Sequence, residues 1–236
     1  MKHLQKLLLL SLLLVTCSSA TAYRSWTRLE GRDEAKSHFT ASLAYLQGRN
    51  NHSCGGFLVA PGWVMTAAQC SKYKPLTVTL EAHTSKEGSW QTFEVQEYHC
   101  HPNFTKPEAG NDILLLKLQG NATSNSYLPL EEKPRRVSKC SMLGWEHRAH
   151  SATLRKATVT VISNRDCMSY FPGRAKNLLC GRSGSAGVPG KSDAGDPLIC
   201  NNKAFGIFSY KYGTWPGFYT LIAPYLSWVE SVMKSV

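Results

Sequence analysis

Three shortages bound what this 236-residue chain can be. Long hydrophobic runs are the first. The apolar run Leu7 to Val15 is too short for the roughly 20 residues of a membrane helix, and no later stretch approaches that length. No transmembrane helix is therefore predicted. Second, the chain has no internal repeat, low-complexity tract or long linker, and its length suffices for one large domain or two small ones with a real core. The third shortage is of acid: 16 Asp and Glu stand against 27 Lys and Arg, a net charge of +11. Apolar content of 42% and charged content of 18% are ordinary for a folded protein and exclude a disordered one.

The start differs from the rest. Met1-Lys2-His3-Leu4-Gln5-Lys6 is basic, the apolar run follows, and Ala20-Thr21-Ala22 offers small residues at signal-peptidase spacing. Residues 1–22 are expected to be a removed signal peptide, and the mature chain to be secreted or stored in secretory granules. Removal takes Lys2 and Lys6, leaving 25 basic residues, 16 acidic ones and a charge of +9. In a secreted protein that balance points to anionic partners: sulfated glycans, lipid head groups or microbial surfaces. No recognised nucleic-acid motif accompanies the charge, so nucleic acid is not an expected partner. Cys17 leaves with the signal, and the remaining seven cysteines predict disulfides with one thiol over. Six cysteines alone allow fifteen pairings.

After Ala22 the sequence is a series of short apolar or alternating segments broken by Gly, Pro, Asn and Ser. Candidate strands are Ala41–Leu46, Gly56–Ala60, Trp63–Ala67, Leu76–Leu80, Thr92–Tyr98 and Ile113–Leu118, then Lys139–Leu143, Arg155–Ile162, Asn177–Cys180, Pro197–Cys200, Phe205–Tyr210 and Gly217–Thr220. Their close spacing predicts an all-β sandwich or barrel. Only the end reads as helix: beyond Pro224, the residues Tyr225, Trp228, Val229, Val232 and Met233 keep three-four spacing. That stripe is expected to dock on the protein's own core.

Several stretches, in order, resemble the chymotrypsin-like serine proteases of the trypsin family. Cys54-Gly55-Gly56-Phe57-Leu58-Val59 with Trp63-Val64-Met65-Thr66-Ala67-Ala68-Gln69-Cys70 is similar to the segment ending Leu-Thr-Ala-Ala-His-Cys. Asn111-Asp112-Ile113-Leu114-Leu115-Leu116-Lys117-Leu118 resembles Asn-Asp-Ile-x-Leu-Leu-x-Leu, and Gly217-Phe218-Tyr219-Thr220 resembles Gly-Val-Tyr-Thr. Lys191-Ser192-Asp193-Ala194-Gly195-Asp196-Pro197-Leu198-Ile199-Cys200 resembles the nucleophile loop, Gly-Asp-Ser-Gly-Gly-Pro-Leu. Glu34-Ala35-Lys36-Ser37-His38 is closest to the branch of granzymes, mast-cell chymases, cathepsin G and azurocidin.

The resemblance implies two six-stranded antiparallel β-barrels, about 29–130 and 131–223, with a cleft between them and a C-terminal α-helix at about 224–235. A short propeptide at 23–28 precedes them. It also implies bridges Cys54–Cys70, Cys140–Cys200 and Cys167–Cys180. Cys100 is then unpaired, expected as a buried, inert thiol in a monomer. Its neighbours His99 and His101 would share the opposite face of a strand, and no metal site is expected there or elsewhere. No cofactor is expected.

Position by position, the resemblance puts Gln69 where the family has its proton-accepting histidine, Asp112 at the orienting aspartate and Ala194 at the nucleophilic serine. A carboxamide holds no transferred proton near neutral pH, and a methyl group has no lone pair to attack a carbonyl. Ser192 and Ala194 occupy the oxyanion-hole positions, where the family has a glycine at the first. Asp196 also replaces a glycine and is expected to set a carboxylate beside the active centre. Val188 stands at the base of the specificity pocket, with Ser209 and Lys211 on its wall. Arg28 and Leu29 stand at the activation cleavage, and Asp193 at the aspartate that would receive the new amino terminus. Neither Ser183, Ser185 nor Ser192 has an evident base at triad spacing. The expectation is a protein that is not an enzyme and works by binding.

Two binding modes follow. Arg135, Arg136, Lys139, Arg155 and Lys156 are candidate contacts for a sulfated glycan or an anionic membrane or microbial surface, as the azurocidin side of the branch implies. One alternative is a regulator that engages proteases, inhibitors or receptors through the old cleft; another, which the family label would imply and Gln69 and Ala194 oppose, is a serine-type endopeptidase with residual activity. Asn51, Asn103 and Asn121 begin Asn-x-Ser/Thr triplets and are candidate glycosylation sites.

Overall fold

The computed structural model describes residues 39–81, 90–123, 126–133, 136–148, 151–184, 190–213 and 216–235. Two closed six-stranded antiparallel barrels organise them, as the resemblance implied. The first comprises β1 (Leu43–Gln47), β2 (Ser53–Ala60), β3 (Trp63–Thr66), β4 (Thr77–Glu81), β5 (Trp90–Cys100) and β6 (Leu114–Leu118), in spatial order 1-2-3-6-5-4. The second comprises β7 (Lys139–Arg148), β8 (Ser151–Val161), β9 (Leu178–Ser183), β10 (Pro197–Cys200), β11 (Lys203–Lys211) and β12 (Gly217–Leu221), in order 10-11-12-9-8-7. Closure removes the exposed strand edges that would otherwise invite pairing with other chains. Each of the twelve candidate segments overlaps one of these strands.

The first barrel is filled by Leu46, Phe57, Leu58, Met65, Val78, Leu80 and the run Leu114–Leu116, all fully buried. Leu114, Leu115, Leu116 and Leu118 of β6 are buried without alternation, with Lys117 half-buried, because both faces are covered, one by the barrel interior and the other by neighbouring structure. Met142, Val159, Leu198, Phe208 and Tyr219 fill the second barrel around the Cys140–Cys200 bridge. Leu143, Trp145, Leu154 and Ile199 leave that interior and join the first barrel's core, which cements the two bodies. Trp90 and Trp145 meet edge to face across this seam, with centroids 5.0 Å apart.

Among the described residues two α-helices complete the fold. α1 (Asn164–Tyr170) was not legible as a helix, although Ser163 caps it by accepting the backbone N–H of Asp166 at 3.1 Å. The Cys167–Cys180 bridge ties α1 to β9, and Cys54–Cys70 ties β2 to the 3₁₀ turn Ala68–Tyr73. α2 (Leu226–Lys234) follows a 3₁₀ turn at Ala223–Tyr225 and buries Val229 against the first barrel's core, joined there by Tyr225. Among the described residues no helix is long and apolar enough to cross a membrane.

The surroundings of Cys100 correct the sequence reading. The thiol is half-buried rather than buried, and the strand ends there, so alternation does not carry over to His101. His99 leans on Trp63 with its Nε2 2.9 Å from Glu97 Oε2. His101 instead packs edge to face against Tyr225 and Trp228 of the C-terminal segment, and burial lowers its pKa. The two imidazoles therefore serve different interfaces and share no face.

Candidate functional site

The seam between the barrels brings three sequence-predicted residues together. β3 ends at Thr66 and the following 3₁₀ turn carries Gln69, while Thr66 pairs with Leu114 at the start of β6. Asp112, two residues before Leu114, is thereby set beside that turn. Its Oδ1 accepts the backbone N–H of Gln69 at 2.8 Å and its Oδ2 accepts the Gln69 carboxamide Nε2 at 2.7 Å. From the second barrel, the Ser209 hydroxyl donates to the same Oδ2. Gln69 Nε2 also donates to the Ser209 carbonyl at 2.7 Å.

Both N–H bonds of the Gln69 amide nitrogen are thus committed, one to each barrel. Asp112 is fully buried, and its environment pulls two ways. Burial raises its pKa, the larger effect, while hydrogen bonds from Ser209, Gln69 and Ala68 stabilise the carboxylate and oppose the rise. Ser209, assigned from sequence to the pocket wall, is 2% exposed and gives its hydroxyl to Asp112.

The loop 190–196 lies against this corner. Gly190 N donates to Asp193 Oδ2 at 2.6 Å, and the amide of Asp193 donates back to Gly190 O at 3.2 Å. Ala194 is 2% exposed, and its carbonyl accepts Gly55 N at 2.8 Å. Gly195 has φ +96°, and a Cβ there would fall 2.1 Å from Gly55 O and 2.2 Å from Thr66 Oγ1. Only glycine suits both that backbone and that approach. Ser192, at the first oxyanion-hole position, is half-buried.

The carboxylate of Asp196, two residues beyond Ala194, is 1% exposed and wedged between the two barrels. A Cβ on Gly55 of β2 would lie 1.6 Å from its Oδ1, and one on Gly144 of β7 would lie 2.0 Å from its Oδ2. Two glycines supply the room that the missing glycine gave up.

Lys211 is half-buried at the end of β11, opposite Gly217 of β12. Burial lowers its pKa, and the nearby Asp193 carboxylate offsets part of the fall. Val188, Arg28, Leu29, Arg135, Ser185 and the signal segment 1–22 lie outside the described residues. Asn51, Asn103 and Asn121 are exposed. Asn51 neighbours His52, which stacks on Tyr73 of the Gln69-bearing turn at a centroid distance of 3.4 Å.

Among the described residues the basic candidates do not form one cluster. Sheet register puts Lys139 opposite Thr160 and Thr160 opposite Arg182, so these exposed residues cross three strands in a row. Strand spacing sets Lys139 and Arg182 about 10 Å apart. Lys156 is exposed in the same outward register as Thr160, about 13 Å along β8. Arg155 falls instead in the inward register with Ala157 and Val159 and is half-buried. Arg182 was missed because it stands alone in sequence; only the pairing of β8 with β9 brings it to Lys139.

Comparison with known proteins agrees with this architecture. The family model described as Trypsin matches residues 29–229. Granzyme B of Rattus norvegicus is 34% identical over 225 residues, covering 86% of this chain and 90% of that protein. Granzyme H of Homo sapiens is 33% identical, covering 98% of this chain and 99% of its own length. Among solved structures, one described as "Structure of GrC" superposes with a TM-score of 0.72 at 30% identity, over 87% of this chain and 98% of its own. Two β-barrels meeting at a buried aspartate define a chymotrypsin-like serine protease domain. The chain belongs to the trypsin family.

Membership corrects one expectation. The sequence reading held that the protein is not an enzyme, yet its relatives along most of its length carry the names of serine proteases, granzymes among them. The inference had rested on two side chains, Gln69 and Ala194, which bear on one covalent route. Two substitutions do not separate the chain from a family whose barrels, buried aspartate and loop it keeps.

Proposed function

We propose that this trypsin-family chain is secreted or granule-stored and acts by binding an anionic glycan or an anionic microbial or cell surface on the outside of its second barrel. The single observation that supports the reading is the row Lys139–Thr160–Arg182 with Lys156 along β8, three exposed cations on one sheet face. Cations at this spacing meet successive negative groups of a polymer, whose attraction falls as salt screens it. Excess basic charge over the whole chain adds a long-range pull in the same direction.

The test is retention on immobilised heparin beside a sulfopropyl resin of matched charge density. The reading expects later elution from heparin, because a patterned site distinguishes a polymer from scattered charge. Equal elution from both would reduce the effect to net charge and overturn the reading. The same preparation is assayed for peptide cleavage, the activity its family leads one to look for. A Gln69→His, Ala194→Ser variant that supplies the imidazole and hydroxyl is assayed alongside.

A further inference from the structure

A groove of about 760 Å³ runs over the second barrel, away from the Asp112 corner. Val137, Val161 and Leu179 give it an apolar floor, and Met168 of α1, 39% exposed, gives it a flexible thioether wall. Arg136 and Arg165 also line it, both exposed. No carboxylate is among the described lining residues. Asp166, next in sequence to Arg165, accepts the Ser163 hydroxyl at 2.6 Å instead. Among the described residues neither guanidinium has an ion-pair or hydrogen-bond partner.

We infer that this groove binds a single-chain fatty acid, its carboxylate held by Arg136 and Arg165 and its alkyl chain laid over Val137, Val161 and Leu179. The inference stands apart from the glycan reading, because a sulfated sugar would leave the apolar floor without a partner. A volume in the ordinary range for small-molecule sites, with Val137, Val161, Ile162 and Leu179 among its lining, suits one alkyl chain. Guanidinium forks match a carboxylate in plane and charge, so the two arginines are the groups in the lining that suit the head group.

Calorimetric titration of the full chain with decanoate, dodecanoate and tetradecanoate, each kept below its micelle concentration, tests this. Each added methylene is expected to tighten binding about fourfold until the floor is covered. Methyl dodecanoate, which has the chain but no charge, is expected to bind at least tenfold more weakly than dodecanoate. The double variant Arg136→Gln, Arg165→Gln should lose at least tenfold for the acid and little for the ester. Met168→Glu, which adds a repelling carboxylate at an exposed position, should weaken the acid more than the ester. Equal binding of acid and ester, no dependence on chain length, or an unaffected double variant each overturns the inference. So does binding seen only with phosphatidylcholine–phosphatidylserine vesicles, which would make the groove a membrane-contact surface.

Discussion

The Asp112 corner and the outer face of β7–β9 treat charge in opposite ways. At the corner a fully buried carboxylate accepts three hydrogen bonds from Gln69 and Ser209, and the Gln69 nitrogen has no N–H left to offer. On the sheet face, Lys139, Lys156 and Arg182 reach into solvent. A saturated network holds two barrels in register, since its donors come from both; an exposed row is cheap to alter. Stability should therefore reside at the seam, and recognition at the surface.

Substitutions that break the seam should have the largest effects. Gly55→Ala and Gly144→Ala each force a methyl onto the Asp196 carboxylate between the barrels. Each is expected to lower unfolding free energy by about 3 kcal/mol, measured by urea denaturation. Asp112→Ala strands the Gln69 and Ser209 donors in a dry site and should cost about 3 kcal/mol in the same assay.

Asp112→Asn removes the titrating group at the seam and so changes how stability depends on pH. Burial raises the folded-state pKa above the unfolded value of about 3.9. Below the unfolded value both states hold the proton and pH has no leverage. Above it the unfolded chain releases the proton first, so stability falls as pH rises through the folded-state pKa and is flat beyond it. Urea midpoints measured upward from about pH 4 should fall more steeply in the natural chain than in Asp112→Asn. The smallest stability effect belongs to the surface: Lys139→Gln, Lys156→Gln and Arg182→Gln should each stay within about 0.5 kcal/mol.

Much of the framework was legible because strand length, turn residues and family motifs agree along the chain. The twelve segments became twelve strands, and the three bridges implied by the resemblance are those of the structure. α1 escaped because it is short and exposes Met168 and Tyr170, leaving no apolar stripe to read. The setting of Asp196 escaped because Gly55 and Gly144, which make its room, are remote in sequence. Adjacency in sequence grouped Arg155 with Lys156, whereas strand alternation separates them and register joins Lys156 to Lys139 and Arg182. Expecting no enzyme gave two positions more weight than the relatedness of the whole chain supports.

Salt-gradient elution from heparin decides whether the proposed recognition lies on the β7–β9 face and not at the seam. Three proteins are compared: the natural chain, Asp112→Asn, and the triple variant Lys139→Gln, Lys156→Gln, Arg182→Gln. The account predicts that Asp112→Asn elutes with the natural chain and that the triple variant elutes at markedly lower salt than a control losing three lysines elsewhere, Lys72, Lys106 and Lys234. Elution of the triple variant together with that control would show that total charge, and not this face, does the binding, and would contradict the account.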